Sequence, residues 1–207
     1  MAGAMALLAV YIESRISPQP QTDYLWHETL QELSNLARIK HRQSERYTQY
    51  SFFAEQEGLH SQAMLLRAIA KADAIQCENC IKAIESLGGV YYSPVSVDAK
   101  MYSTREHLQL ICDEKSRYHT EHIHHIIAQT LDEGNRYIAR MLTWCDASDI
   151  EQILILRNEL QSCATDSLSR RNQYSVCPVC GKLSNKELSS YRCAHCMTPN
   201  EEFLIFK

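Results

Sequence analysis

The chain has 207 residues, of which 45% are hydrophobic and 22% charged, and only 6 glycines and 5 prolines, a composition typical of a globular, mostly helical protein. A formal net charge of -4 is too mild for a disordered chain, and 21 Lys and Arg residues against 25 Asp and Glu residues leave no basic excess for binding nucleic acid. The 9 cysteines are an odd number, which disfavours a secreted disulfide framework and favours reduced cytoplasmic thiols, some of them bound to metal.

Residues 1–22 precede the first long helical pattern and are predicted to form an N-terminal arm or short helix. The apolar stretch from Met1 to Ile12 has no basic segment before it. It is also shorter than the ~20 apolar residues that a membrane span needs. A signal peptide is the alternative for this stretch. Since no other stretch approaches the length of a span, we expect a soluble, cytoplasmic protein with no membrane partner.

Four segments of helical length follow, separated by glycines and prolines. They cover residues 23–55, 60–87, 102–131 and 135–167. Gly58 and Gly134 lie in short connections, and a longer connection in the middle contains Gly88, Gly89 and Pro94. Two short connections and one long crossover predict an all-α, ferritin-like four-helix bundle over residues 23–167.

The heptad seams of these segments carry apolar residues toward their ends and polar residues near their middles. The two halves of the chain also repeat. Each half has a glycine, an aspartate 15 residues later and a glutamine 18 residues later: Gly58, Asp73 and Gln76, then Gly134, Asp149 and Gln152. The repeat predicts two related helical hairpins, each of which places an Asp-x-x-Gln pair in the core.

The last segment, residues 168–207, carries two C-x2-C pairs separated by 12 residues: Cys177 with Cys180, and Cys193 with Cys196. Four thiolates at this spacing suit one tetrahedral iron or zinc ion. A segment this short cannot build its own apolar core, which argues against four unrelated buried thiols. We therefore predict a small rubredoxin-like or zinc-ribbon-like tetrathiolate domain that holds one Fe or Zn. His195 is expected to be an exposed residue of the second turn and not a fifth ligand.

A bundle of two helical hairpins followed by a four-cysteine domain resembles the rubrerythrin family, over residues 25–207. The resemblance rests on short motifs in a fixed order: Arg46-Tyr47-Thr48, Phe53-Ala54, Glu57-Gly58, Ile69-Ala70, His119-Thr120-Glu121, Asp132-Glu133-Gly134, Ile138-Ala139-Arg140, and the four cysteines with Gly181, Pro199 and Phe203. It implies a diiron centre held by helix-borne Glu residues and Glu-x-x-His motifs, reduction of peroxide, a rubredoxin-like iron site that relays electrons, and association into dimers or larger oligomers.

At the positions that hold iron in that family, this chain carries other residue types. These positions are Lys40, Asp73, Gln76, Lys115, Tyr118, Asp149 and Gln152, with Ser116 or Glu114 as alternatives to Lys115 if the third helix is shifted by one residue. Because a protonated lysine has no lone pair and repels iron, we expect no diiron centre. We hypothesise that the two lysines pair with the two aspartates, and that the two glutamines satisfy the remaining hydrogen bonds. The alternative is that these polar residues face water on a shifted helix.

Two other clusters compete for a role. His119, His122 and His125 recur every three residues, so a helix would present two or three metal ligands on one face, although such spacing also arises by chance in a chain with 9 histidines. Cys77 and Cys80 form a further C-x2-C pair inside a helix, where core packing competes with a redox role. Three tyrosines are expected to line the polar layer: Tyr47, Tyr50 and Tyr118.

The sequence therefore predicts a rubrerythrin-like metal protein that acts as a non-catalytic structural or self-assembling component, a homodimer or larger homo-oligomer. One alternative is a peroxide-handling oxidoreductase that uses the tetrathiolate iron with an atypical metal site, such as the group of His119, His122 and His125. A second is a one-electron carrier that uses the tetrathiolate iron alone. An enzyme of this kind requires carboxylates in the bundle core or a redox metal elsewhere, and the first condition fails.

Overall fold

A computed structural model describes residues 26–96, 99–162, 173–185 and 191–207. The helices are α1 (His27–Gln56), α2 (His60–Ser86), α3 (Thr104–Tyr118), α4 (His124–Asp132) and α5 (Arg136–Ser162). A π-helix, His119–Ile123, joins α3 to α4, so that the third predicted helical segment is continuous. The predicted N-terminal arm, residues 1–22, lies outside the described residues.

The helix ends follow local sequence signals. The α1–α2 and α4–α5 connections pass through Gly58 (φ +76°) and Gly134 (φ +82°), in the left-handed region that favours glycine. A capping box begins α3: the Glu106 N–H donates to Ser103 Oγ, and the Ser103 N–H donates to the Glu106 carboxylate. The result is two helical hairpins joined by residues 87–103, which confirms the predicted all-α four-helix bundle.

A polar layer divides the bundle core into two apolar clusters. One cluster includes Tyr47, Ala54, Leu66, Ile69, Ile111 and Leu156. The other includes Leu33, Leu36, Cys80, Ile84, Ile126 and Leu142. Between these clusters along α1, α2, α3 and α5 lie four buried charged residues, Lys40, Asp73, Lys115 and Asp149, which we call the ion-pair layer. The alternative that these residues face water is therefore wrong.

The cysteine-bearing segment forms a small antiparallel sheet of order β2-β1-β3. Its strands are β1 (Tyr174–Val176), β2 (Leu183–Ser184) and β3 (Leu204–Phe206). In the register, Val176 lies opposite Leu183 on one side and Leu204 on the other. Tyr174, Val176 and Leu183 belong to an apolar cluster of the bundle, so the sheet packs against the helices and shares their core.

The three longest helices, α1, α2 and α5, have 30, 27 and 27 residues. Each is long enough to span a bilayer but carries charged residues along its length. Among the described residues, no helix combines the length and the apolar character that a membrane span requires.

Candidate metal centre and ion-pair layer

The four C-terminal cysteines lie on two turns that share one backbone hydrogen-bond pattern. In each turn, the N–H of the first cysteine donates to the carbonyl of the residue five positions later, at 2.9 and 2.8 Å. The N–H of the residue after the second cysteine donates back to the carbonyl of the first, at 3.0 Å in both turns. That following residue is left-handed in both cases, with φ +74° at Gly181 and +66° at Met197. Two equivalent turns therefore present two sulfurs each to a common point.

The four sulfurs are close enough to share one metal ion. Cys177 Sγ lies 3.4 Å from Cys196 Sγ, and Cys180 Sγ lies 3.5 Å from Cys193 Sγ. All four atoms lie within 4.8 Å of one another. A tetrahedral ion with metal–sulfur bonds of ~2.3 Å places its sulfurs ~3.8 Å apart, so the cluster fits iron or zinc.

Charge within the cluster also favours a cation. Hydrogen bonds with the Cys177 and Cys180 thiols lower the pKa of Cys193 to about 3. Hydrogen bonds with Cys177 and Cys193 raise the pKa of Cys180 well above its ordinary value. Without a metal ion, deprotonation of one thiol therefore makes deprotonation of its neighbours less favourable. A divalent ion would allow all four cysteines to be thiolates, because its positive charge offsets their negative charges.

His195 differs from its prediction as an exposed residue of the second turn. It is half-buried, and its Nδ1 atom is buried with no hydrogen-bond partner among the described residues. It is not among the four metal-ligating side chains of the cysteine cluster. Burial lowers the pKa of His195, which favours the neutral imidazole.

The ion-pair layer has one side chain from each of four helices. Lys40 Nζ lies 3.1 Å from Asp73 Oδ1, and 2.8 and 2.6 Å from the two carboxylate oxygens of Asp149. Lys115 Nζ lies 3.0 Å from both carboxylate oxygens of Asp73 and 2.9 Å from Asp149 Oδ1. Each ammonium thus bridges both carboxylates, and the two positive charges balance the two negative ones. The hypothesis that the two lysines pair with the two aspartates is confirmed.

The attraction between the lysine and aspartate side chains of the ion-pair layer outweighs the cost of burying their charges. Both lysine side chains are 1% exposed, and the Asp73 and Asp149 side chains are 0% and 9% exposed. Burial alone would lower the pKa of Lys40, but the charges of Asp149 and Asp73 raise it above its ordinary value. Burial alone would raise the pKa of Asp149, but Lys115 and Lys40 hold it below its usual range. The Lys40 ammonium and the Asp149 carboxylate therefore remain charged at neutral pH.

These shifts predict how stability depends on pH. Because the folded pKa of Asp149 is depressed, its ionised carboxylate stabilises the folded state above the unfolded pKa of ~3.9. This stabilisation is lost as the pH falls through the folded pKa. Because the folded pKa of Lys40 is raised, its contribution is present below the unfolded pKa of ~10.4 and is lost as the pH rises through the folded value.

We test this by urea unfolding of the native chain and the charge-balanced double variant Lys40→Met/Asp149→Asn at several pH values. Below about pH 4, the free energy of unfolding of the native chain should fall relative to that of the double variant by ~1.4 kcal/mol per pH unit. The cysteine cluster is the same in both proteins, so its own acid sensitivity cancels. A difference that stays constant from pH 7 down to pH 3 would contradict the charge assignment.

The two glutamines do not complete the layer. Gln76 is fully buried, and neither of its amide atoms has a hydrogen-bond partner among the described residues. Gln152 Nε2 donates to Ser148 Oγ at 3.4 Å, and its Oε1 has no described partner. The prediction that these amides satisfy the remaining hydrogen bonds of the ion pairs is therefore wrong. The bridging ammoniums already occupy the carboxylate oxygens.

The first cysteine turn rests directly on α2 and α5. A Cβ atom added at Gly181 would lie 2.7 Å from the Ala72 carbonyl oxygen and 3.1 Å from Gln76 Cγ. Ser148 Oγ donates to the Gly181 carbonyl at 3.1 Å, and Asn79 Nδ2 donates to the Val179 carbonyl at 2.8 Å. Ala72 and Ser148 directly precede Asp73 and Asp149, so the candidate metal centre is docked beside the ion-pair layer.

Substitution of Gly181 measures the importance of this close approach. Gly58 is the matched control, because its φ of +76° is similar and the space around its Cβ position is open. Gly58→Ala should lower the free energy of unfolding by ~1–2 kcal/mol, the strain of a left-handed alanine. Gly181→Ala should cost a further ~1–3 kcal/mol, because its methyl group also overlaps the α2 backbone. Equal losses in chemical denaturation would contradict the docking contact.

The third helix supplies only Lys115 to the layer. Glu114, one of the alternatives, instead forms an ion pair with Arg46, and Ser116 accepts a hydrogen bond from Arg157 at 3.3 Å. Tyr118 is half-buried and lines a cleft of about 490 Å³ between α1 and α3, outside the ion pairs.

Of the other two tyrosines expected at the polar layer, Tyr47 borders it. The Tyr47 ring is fully buried, and its centroid lies 5.8 Å from Lys115 Nζ. This distance allows a cation–π contact. Tyr50 instead stacks on His107, with ring centroids 3.8 Å apart, inside the apolar cluster.

A different histidine cluster forms from the one that the spacing predicted. His119 lies with His124 and Asp146, and the ligand atoms of these three residues are all within 4.8 Å of one another. Among the described residues, His122 and His125 do not join them. The predicted spacing assumed an α-helix, whereas residues 119–123 form a π-helix that changes which side chains share a face. Sequence reasoning therefore missed His124 and Asp146.

The helical C-x2-C pair consists of packed thiols. The Cys77 thiol donates to the Ala37 carbonyl at 3.3 Å, and burial raises its pKa to about 11. A hydrogen bond with Cys145 on α5 raises the pKa of Cys80 well above its ordinary value. Thiols with raised pKa values are poor nucleophiles, which fits core packing better than a redox role.

The sequence matches no protein-family model and no curated protein. Solved structures of nigerythrin are nevertheless similar in fold. The fully reduced, all-ferrous state has 20% sequence identity and a TM-score of 0.76, with 86% of each chain covered. The mixed-valence state has 18% identity and a TM-score of 0.77, and the partially reduced state 20% and 0.76, again with 86% of each chain covered. The chain therefore has the fold of nigerythrin, a member of the rubrerythrin family, as its resemblance to that family predicted.

Proposed function

We propose that this chain is a non-catalytic metal protein of the cytoplasm. In this proposal it binds one iron or zinc ion through Cys177, Cys180, Cys193 and Cys196, and it acts as a structural, self-assembling component. The observation that carries the proposal is the ion-pair layer in the middle of the bundle. In ferritin-like diiron proteins, the bundle core instead presents four glutamates and two histidines to the metal ions.

The ion-pair layer argues against a diiron centre on charge and on geometry. Two carboxylates and two ammoniums make a neutral site, whereas two ferrous ions require an excess of anionic ligands. Both oxygens of Asp149 accept hydrogen bonds from Lys40, and both oxygens of Asp73 accept them from Lys115. Iron would have to displace two ammonium groups that are each 1% exposed. One nigerythrin structure is described as all ferrous, whereas two of the four charged side chains of this chain's ion-pair layer are lysines.

The cysteine cluster supplies the one metal site of the proposed function. An ion bound there would fold the two turns onto each other, and bound iron would also allow one-electron transfer. Colour distinguishes the two metals, because a ferric tetrathiolate is red and a zinc tetrathiolate is colourless. The thiolates must be reduced to bind either metal, which supports a reducing cytoplasm as the compartment.

Self-association is supported by apolar side chains on the outside of the bundle. Ile150 and Leu154 lie four residues apart on one face of α5 and are 36% and 53% exposed. Phe52 on α1 is 61% exposed and Leu131 on α4 is 50% exposed. We infer that a second copy of this chain covers some of these side chains, since removal of large apolar side chains from water stabilises the protein.

Two measurements on the purified chain test the proposed function. Light scattering after size-exclusion chromatography should give the mass of a dimer or a larger homo-oligomer. Chemically reduced protein, supplied with an excess of a one-electron donor, should not consume hydrogen peroxide over repeated turnovers. A monomer would contradict the assembly role, and sustained peroxide consumption would favour the oxidoreductase alternative.

A further inference from the structure

A second group of metal-ligating side chains lies outside the cysteine cluster. His119 Nδ1 is 2.6 Å from Asp146 Oδ1, and the imidazole centroids of His119 and His124 are 5.0 Å apart. The ligand atoms of these three residues all lie within 4.8 Å of one another. Asp146 comes from α5, whereas His119 is the first residue of the π-helix and His124 follows its last, so two packed helical segments converge on one point.

The π-helix explains why two histidines five residues apart meet. In a regular α-helix, with 3.6 residues per turn, side chains five positions apart point about 140° away from each other. The π-helix His119–Ile123 has the wider turn of i to i+5 hydrogen bonding, which brings side chains five positions apart closer to one face. Such single π turns in longer helices are frequently associated with functional sites. Here the turn faces His119 and His124 toward the same aspartate.

We propose that His119, His124 and Asp146 form a second metal site, which binds one divalent transition-metal ion such as Zn²⁺. Two imidazoles and one carboxylate suit zinc and its neighbours, whereas Mg²⁺ prefers oxygen ligands alone. The His119 and Asp146 side chains are 28% and 11% exposed, and His124 is exposed. Three protein ligands at an accessible position leave room for water as a fourth ligand. This site is independent of the proposed function, since it uses neither the cysteines nor the ion-pair layer.

The test is a calorimetric titration of full-length protein whose cysteine site is already saturated with metal and counted. We expect Zn²⁺ to bind at one additional site per chain, and Mg²⁺ at the same concentration not to bind there. His124→Ala and Asp146→Asn should each weaken the additional site at least tenfold. His125→Ala is the matched control, because this exposed histidine is the neighbour of His124 in the chain but not a member of the cluster.

Three outcomes would overturn the proposal. The native chain could bind no Zn²⁺ beyond the ion of the cysteine site. His124→Ala could bind the additional ion as tightly as the native chain. His125→Ala could weaken binding as much as His124→Ala, which would show that the loss is not specific to the proposed ligands. Circular dichroism of each variant verifies the fold, and because His124 is exposed, its substitution leaves the apolar core intact.

Discussion

Lys40→Met is expected to lower the free energy of unfolding by ~3–5 kcal/mol, because it leaves two buried carboxylates with only one ammonium between them. Lys40 makes three hydrogen bonds to these carboxylates and is 1% exposed. Methionine keeps much of the side-chain volume, so the loss reports charge and hydrogen bonding more than a cavity. Chemical denaturation at neutral pH measures the effect.

Two further variants make this prediction specific. Lys82 is 65% exposed in an ion pair with Glu78, so Lys82→Met should change stability by at most ~1 kcal/mol. The double variant Lys40→Met/Asp149→Asn removes one charge of each sign and should be more stable than Lys40→Met alone. If Lys40→Met unfolds at the same denaturant concentration as the native chain, the ion-pair layer does not have the energetic role assigned to it.

Cys193→Ser should abolish tight metal binding at the cysteine cluster and unfold the C-terminal segment. A serine hydroxyl is a poor ligand for these ions, and structural zinc supplies ~10–16 kcal/mol of apparent binding free energy in zinc-finger peptides at neutral pH. The consequences extend into the bundle, because Tyr174, Val176 and Leu183 share its apolar core. Hydrogen exchange should therefore show lost protection in the three strands and partial loss in the parts of α2 and α5 that contact the segment.

Cys77→Ser is the control for this experiment. Cys77 is also the first cysteine of a C-x2-C pair, but its thiol donates to the Ala37 carbonyl inside the bundle. A serine hydroxyl can donate the same hydrogen bond, so the metal content of Cys77→Ser should equal that of the native chain. Metal retained by Cys193→Ser, or lost from Cys77→Ser, would show that the four C-terminal cysteines are not the ligand set.

Much of the fold follows from short-range sequence signals. Gly58 and Gly134 mark the two tight connections, because their left-handed backbone ends one helix and starts the next. The two C-x2-C pairs identify the cysteine cluster, because each pair forms a turn that presents both sulfurs on one side. The ion pairs could also be predicted, since Asp73 and Asp149 share one spacing from a glycine and opposite charges inside a bundle must pair.

Other features depend on contacts that local spacing does not encode. The environment of Gln76 is set by the cysteine turn that docks on α2, where Gly181 approaches the helix backbone. The cluster of His119, His124 and Asp146 requires a π turn, whereas the sequence pattern was interpreted with the period of an α-helix. For both Gln76 and His119, the helical segment that carries the residue was predicted correctly, but the contacts of its side chain were not.

The central claim is that an ion-pair layer replaces a diiron centre. Counting the metal ions bound to the purified chain tests this claim most directly. The protein is dialysed against EDTA to remove weakly bound ions, and its iron and zinc are measured per chain. EDTA also removes any ion from the proposed site of His119, His124 and Asp146, so we predict one metal ion per chain, iron or zinc, all of it released by thiol-modifying reagents. Two or three iron atoms per chain, or iron that survives thiol modification, would contradict the account.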